Sequence, residues 1–226
     1  MQGLKRIGFV SAMIIMTLGS GHAQENSIKE GVWGRGIHFN IGITQFKTKQ
    51  INQALSSVGV SNRLPFIHMS AGTEIVGYLG KFYILVGSYG VWAPVNTESK
   101  VNAQGVLWAF GGGYFFIIKE KFGMAIDGQW QFYNVVVNIH NPPATVPNTF
   151  TSTLLTTNNF ASFNLTNQAI FLGLNLGLWG SDQSMWGFKA GATVTYHTKW
   201  RYSGQTITNP PSYVPLGFVG AVYFML

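Results

Sequence analysis

The stretch Val32–Phe46, VWGRGIHFNIGITQF, decides the fold. Ile37, Phe39, Ile41 and Ile43 share one parity, while Gly36, His38, Asn40, Gly42 and Thr44 share the other. Successive side chains of a β-strand point to opposite faces, so this segment has one apolar face and one polar or small face. Two environments satisfy such a strand. One is a soluble sheet packed on a second layer; the other is a barrel wall with hydrocarbon outside and a polar lumen inside. No amphipathic helices are available to cover an apolar sheet, which makes a soluble β-sandwich the second-ranked reading.

The alternation recurs at Phe66–Leu79, Phe82–Ala93, Gln104–Ile118, Lys121–Asn138, Phe163–Trp179, Met185–Lys199 and Tyr213–Leu226, giving eight strands in all. Their connections alternate in length. Lys47–Pro65 and Ile139–Ser162 are long, Pro94–Ala103 and Trp200–Ser212 are intermediate, and Gly80–Lys81, Lys119–Glu120 and Gly180–Ser184 are short. This predicts an all-β fold: an eight-stranded antiparallel transmembrane up-and-down β-barrel over residues 32–226, with the short turns and both termini at one end. Within the first long connection, Ile51, Leu55 and Val58 are at near-helical spacing and predict a short helix or cap over the barrel mouth. Pro142, Pro143 and Pro147, followed by many Thr, Asn and Ser, predict a segment that buries little surface.

Composition supports the wall reading. Only 9% of residues are charged, against about 25% in ordinary soluble domains, while 15% are aromatic and Gly numbers 28. The amino-terminal residues have the layout of a secretory signal: basic Lys5 and Arg6, an apolar run from Ile7 to Leu18, and small residues at Gly21 and Ala23 flanking His22. The expected organisation is a signal peptide at 1–23 cleaved near Ala23, a lead at 24–31, and the barrel from 32 to 226. The apolar run is too short for a spanning helix, which needs about 20 residues. The chain has no cysteine, so it forms no disulfides and lacks the attachment residue of a bacterial lipoprotein. Removing the leader takes two of 14 basic residues and none of 7 acidic ones, leaving the mature chain five cations in excess. That excess suits anionic headgroups as well as solvated loops.

In the closing strand Leu216, Phe218, Val222, Phe224 and Leu226 alternate with Gly217, Val219, Ala221, Tyr223 and Met225 up to the carboxyl terminus. On strand count, loop asymmetry and this terminal strand, the chain from Val32 to Leu226 resembles small bacterial outer-membrane barrels of the OmpA/OmpX type. The resemblance implies insertion by the barrel-assembly machinery, periplasmic termini, and contact with outer-membrane lipid and lipopolysaccharide. Leu226 departs from the aromatic on which such chains commonly end, with Phe224 two positions earlier.

Parity also sorts the charged residues. Ile67, Met69, Ile75 and Leu79 occupy one face of the second strand, leaving Glu74 inside. Phe122, Met124, Ile126, Trp130 and Phe132 leave Asp127, Gln129, Gln131 and Tyr133 inside, and Lys189 opposes Trp186, Phe188, Val194 and Tyr196. Counted from the short-turn end, Glu74, Asp127 and Lys189 fall at similar depth and are expected to form one lumen ion-pair layer, with His38 at its border. Eight strands enclose an interior just wide enough for side chains, where an isolated charge costs several kcal/mol. Structural filling is therefore preferred to a gate or proton-linked switch. Two interfacial aromatic girdles are expected: Trp33, Phe82, Phe122, Trp179 and Trp186 at the short-turn end, and Phe46, Trp92, Phe132 and Trp200 at the other. The facing of the third and fourth strands stays open, because both of their faces carry aromatics.

No catalytic constellation emerges. His22 leaves with the signal, His68 and His197 lie near outer strand ends, and His140 falls in a loop, without a Ser and an acid spaced to specify a triad. No spacing suggests a metal site, a cofactor or a nucleic-acid module. Gly111, Gly112 and Gly113 interrupt a strand without a following helix, which favours bending or tight packing over a phosphate cradle. The functional expectation is a non-enzymatic structural or surface-interaction protein, with a protein partner at its outer loops. A narrow solute pore and a lipid A-modifying enzyme are the alternatives.

Overall fold

The computed structural model describes residues 33–57, 59–94, 101–119, 121–140, 160–179 and 185–225. The predicted leader and lead (1–31) and residues 141–159 of the Pro142-rich connection lie outside them, as do Val32, Val58 and Leu226. The eight long strands are β1 (Trp33–Phe46), β2 (Ile67–Leu79), β3 (Phe82–Trp92), β4 (Val101–Ile118), β5 (Phe122–His140), β6 (Phe160–Trp179), β7 (Met185–Tyr202) and β9 (Pro215–Met225). Between β7 and β9 lies the two-residue strand β8 (Gln205–Thr206). Each long strand pairs antiparallel with its sequence neighbour, and β9 pairs with both β7 and β1, so the ring of eight closes on itself. Closure leaves no unpaired edge among the long strands.

Local chemistry sets the ends of the strands. Leu79 pairs with Phe82 across Gly80–Lys81, and Gly80 has φ 56°, as the first central position of a II′ hairpin turn requires. At the other end of the barrel, Tyr202 pairs with Gln205 around Ser203 (φ 47°) and Gly204 (φ 83°), two positive φ values that match a I′ turn. The sequence pattern predicts loop from Trp200 to Ser212. A Ser-Gly step suited to a tight turn instead lets β7 run on and fold back into β8.

The helix α1 (Lys49–Ser57) forms in the first long connection, where Ile51 and Leu55 are fully buried. Asn52 pins it, its side chain donating to the Leu64 carbonyl and accepting from the Leu64 amide, both at 2.9 Å. Ile51, Leu55, Val60 and Leu64 belong to the same buried apolar cluster as the inward residues Phe46, Val135, Val137, Phe163 and Trp200. The lumen is thus filled with apolar groups at its long-loop end.

Facing is settled by burial. In β3, Tyr83, Leu85, Tyr89 and Val91 are buried while Phe82, Ile84, Val86 and Trp92 are exposed. In β4, Leu107, Ala109 and Phe115 are inside while Trp108, Phe110 and Tyr114 are outside. The triple glycine sits where backbones crowd: a Cβ on Gly111 would lie 2.2 Å from the Gly128 carbonyl oxygen, and one on Gly113 would lie 2.5 Å from the Tyr83 ring. Close packing, with no phosphate cradle, accounts for these residues.

Two expected girdle residues are corrected. Trp200 is fully buried inside the barrel, although it shares sequence parity with the outward Trp186 and Phe188. Gln168 pairs with His197 and Ala169 with Thr195, which leaves Tyr196 as an extra residue in β7. Such a bulge inverts facing beyond it, so His197 and Arg201 point outward and Trp200 inward. Phe46 is also buried, following the inward parity of His38, Asn40 and Thr44. Of the other described girdle aromatics, Phe82, Trp92, Phe122 and Trp186 are exposed and Phe132 is half-buried. The side chains of Trp33 and Trp179 lie outside what the structure describes.

Candidate functional site

Four to five residues in from the short-turn end, several strands project a polar cluster into a space closed above and below by aromatic rings. His38 on β1 is the register partner of Glu74 on β2, and its Nδ1 lies 3.1 Å from Glu74 Oε2. Lys189 on β7 reaches across to Glu74 Oε1 at 2.8 Å and to Asp127 Oδ2 on β5 at 3.1 Å. Tyr89 on β3 donates its hydroxyl to Glu74 Oε1. Glu74 and Asp127 are fully buried, and Lys189 is 5% exposed.

Sequence logic explains why these side chains meet. Each sits on the inward parity of its strand, and several of the residues opposite are small: Glu74 pairs with Gly87 on one side, and Asp127 with Gly113 and Gly173. Glycines at these positions leave room for rings. A Cβ on Gly187 would lie 1.9 Å from Cζ of Tyr223, and one on Gly87 would lie 2.9 Å from the Tyr89 ring. Tyr223 in turn stacks on His38 with centroids 4.4 Å apart and planes within 16°.

Electrostatics requires this set to act as a unit. A lone charge in a dry interior costs several kcal/mol, which mutual attraction offsets only when the geometry is good and remaining polar atoms are satisfied. Glu74 receives three donors: the Lys189 ammonium, the Tyr89 hydroxyl and the His38 ring. A proton on His38 Nδ1 serves Glu74, and Nε2, 3.1 Å from the Tyr78 hydroxyl, then accepts from it. Asp127 is less complete. Its Oδ2 accepts from Lys189 and from Gln129 Nε2 at 3.0 Å, whereas its Oδ1 has no hydrogen-bond partner among the described residues.

Around this cluster the lumen is organised in layers. Toward the short turns, Tyr223 donates to Asn175 Oδ1 at 2.6 Å and Asn175 donates to the Tyr83 hydroxyl at 3.3 Å. Toward the long loops, β5 carries a ladder in which Gln131 donates to Gln129 at 3.3 Å and Tyr133 donates to Gln131 at 2.9 Å. Beyond it Phe46, His68, Tyr133 and Tyr213 pack ring to ring, and His68 shares a hydrogen bond with the Tyr213 hydroxyl. These interior groups are almost wholly inaccessible, so little space for water adjoins them.

Of the groups singled out from the sequence, Glu74, Asp127, Lys189 and His38 stand within one bonded cluster. The hydroxyls of Tyr78 and Tyr89 complete it, those of Tyr83 and Tyr223 join the neighbouring layer at Asn175, and the sequence pattern does not single out these four tyrosines. The signal for Tyr83 and Tyr89 is their shared parity in β3, masked by aromatics on both faces of that strand. The histidines gather nowhere. His68 is buried in the aromatic layer, His197 is exposed on the outer wall, and His140 ends β5 and is not in a loop. Among the described residues, no group of three His, Asp or Glu side chains is placed to hold a metal ion.

No protein-family model matches the chain, and no curated protein matches it. Among solved structures it is similar to a major outer membrane protein from Thermus thermophilus, at 9% sequence identity and a TM-score of 0.49, over 84% of this chain and 99% of that one.

Proposed function

We propose that this chain is an integral outer-membrane β-barrel with a plugged, non-conducting lumen, and that its role is structural or surface-interacting, exercised at the long-loop end. The observation that carries the proposal is inverted polarity. Every long strand turns large apolar side chains outward, including Ile41, Ile75, Ile84, Trp108, Trp130, Leu172, Phe188 and Val222, while the charged Glu74, Asp127 and Lys189 lie inside. Ile84 is 68% exposed and Ile41 65%. An apolar belt around the whole ring far exceeds the few hundred Å² of contiguous apolar surface usual in water, and hydrocarbon is the solvent that fits it. The signal-like amino-terminal sequence and the short turns at the end where β1 begins and β9 stops support a periplasmic position for that end.

The filled interior favours this reading over a solute pore. Among the described residues, no site of bond-making chemistry supports the lipid A-modifying alternative. Because the chain lacks cysteine, single introduced thiols report topology cleanly. On intact cells, an impermeant maleimide is expected to label Gln53→Cys on α1 and to label Lys81→Cys only after lysis. Planar bilayers containing the refolded protein should show no steady conductance. Recovery of the mature chain as a detergent-free soluble monomer would overturn the membrane reading, reversed labelling its orientation, and steady single-channel currents the plugged lumen.

A further inference from the structure

The charged residues described at the long-loop end are all of one sign. Among the described residues, the connections and strand ends there carry Lys47, Lys49, Arg63, Lys199 and Arg201 and no acid. The described acids, Glu74 and Asp127, are both inside the lumen. Lys199 and Arg201 differ from the rest in standing on the wall of the barrel itself. The Tyr196 bulge turns His197, Lys199 and Arg201 onto the outer face of β7, directly above the outward Phe188 and Val194. Without that bulge the cations would point into the barrel and Trp200 would point out.

The neighbouring strands continue the pattern. Across from His197, Lys199 and Arg201, β6 presents Gln168, Thr166 and Asn164, and on the other side β8 presents exposed Thr206 opposite Arg201. Lower on β6 the outward residues are Ile170, Leu172 and Leu174, each about half exposed. One column therefore passes from hydrocarbon-compatible wall to amide and hydroxyl groups and then to two cations about 7 Å apart along β7. Neither Lys199 nor Arg201 forms an ion pair with a described residue.

From this arrangement we infer that the outer wall of β6 and β7 binds the phosphorylated headgroup of a lipid in the leaflet that meets the long-loop end. Lys199 and Arg201 hold the phosphate, Asn164, Thr166 and Thr206 donate hydrogen bonds beside it, and the acyl chains lie on Val194, Ile170 and Leu172. Arg pairs with phosphate through a two-pronged contact, and Lys supplies a mobile point charge. This inference rests on the membrane reading above.

The test is lipid binding to the full mature chain refolded in neutral detergent, read by native mass spectrometry against lipid A, fully dephosphorylated lipid A, phosphatidylcholine and inorganic phosphate. Surface cations each contribute about fivefold to the binding of anionic lipid, so Lys199→Gln/Arg201→Gln should weaken lipid A binding about 30-fold. Lys119→Gln/Lys121→Gln, at the opposite rim, should leave it unchanged, and unheated electrophoretic migration verifies that both variants are closed barrels. Wild-type protein should bind dephosphorylated lipid A and phosphatidylcholine far more weakly, and inorganic phosphate should not displace lipid A. Equal lipid A affinity in the wild type and the Lys199/Arg201 variant, or displacement by free phosphate, overturns the site while leaving the barrel in the membrane. Failure of the wild type to enter bilayers overturns the membrane reading instead.

Discussion

The Lys189 ammonium lies 2.8 Å from a Glu74 carboxylate oxygen, although 115 residues of chain separate them. The contact crosses the lumen from β7 to β2, and no local pattern links the two residues. It exists because ring closure brings opposite walls within the reach of one long side chain.

Lys189→Met leaves two buried carboxylates facing one another without a cation. Removing one member of a buried ion pair costs about 3–5 kcal/mol, so the urea midpoint for unfolding from lipid vesicles should fall sharply. The triple variant Glu74→Gln/Asp127→Asn/Lys189→Met removes every formal charge from the set and should recover most of the loss. If Lys189→Met is as stable as wild type, the cluster contributes nothing to holding the barrel.

Asp127→Asn should be the mildest single change in the cluster. With His38 neutral, the trio of Glu74, Asp127 and Lys189 carries one negative charge in excess, and Asp127 has an oxygen with no hydrogen-bond partner among the described residues. Converting that carboxylate to an amide balances the remaining pair. Stability of Asp127→Asn should stay within about 1 kcal/mol of wild type, whereas Glu74→Gln, which disturbs three donors, should lose more. The reverse order in a parallel denaturation series would refute this account.

Trp200 and Trp186 stand on the same strand in opposite environments, fully buried and 55% exposed respectively. In variants retaining one tryptophan each, brominated lipid should quench Trp186 strongly and leave Trp200 bright. Trp200→Ala should cost about 3–5 kcal/mol and Trp186→Ala much less. Quenching of Trp200 by lipid would show that the bulge at Tyr196 does not invert the strand.

Gly187→Ala drives a methyl group into the Tyr223 ring, where it would meet Cζ at 1.9 Å. The ring is held by its stack on His38 and its hydrogen bond to Asn175, so the strain cannot relax freely. A loss of about 1–3 kcal/mol is expected. Combined with Tyr223→Leu, the loss should be smaller than the two single effects added together; strict additivity would place Tyr223 away from Gly187.

The strands were legible because a barrel wall separates two environments, an apolar outer face and a polar or small inner one. Ile37, Phe39, Ile41 and Ile43 against His38, Asn40 and Thr44 declare the two faces of β1 without knowledge of any neighbour, and the same reading put Glu74, Asp127 and Lys189 on the inner side of their strands. In β3, by contrast, Tyr83 and Tyr89 fill the lumen while Phe82 and Trp92 face outward, and an aromatic satisfies either side. Parity alone could not sort them.

The amino-acid sequence by itself determined the number of long strands, their antiparallel succession and the inward position of the charged groups. These follow from a period of two and from turn residues such as Gly80, which are local properties of the chain. Only the tertiary structure decided which charges touch, where Trp200 points and which cations reach the outer wall. Those outcomes depend on register between strands and on one extra residue in β7, and register is a relation between segments that neither segment carries alone.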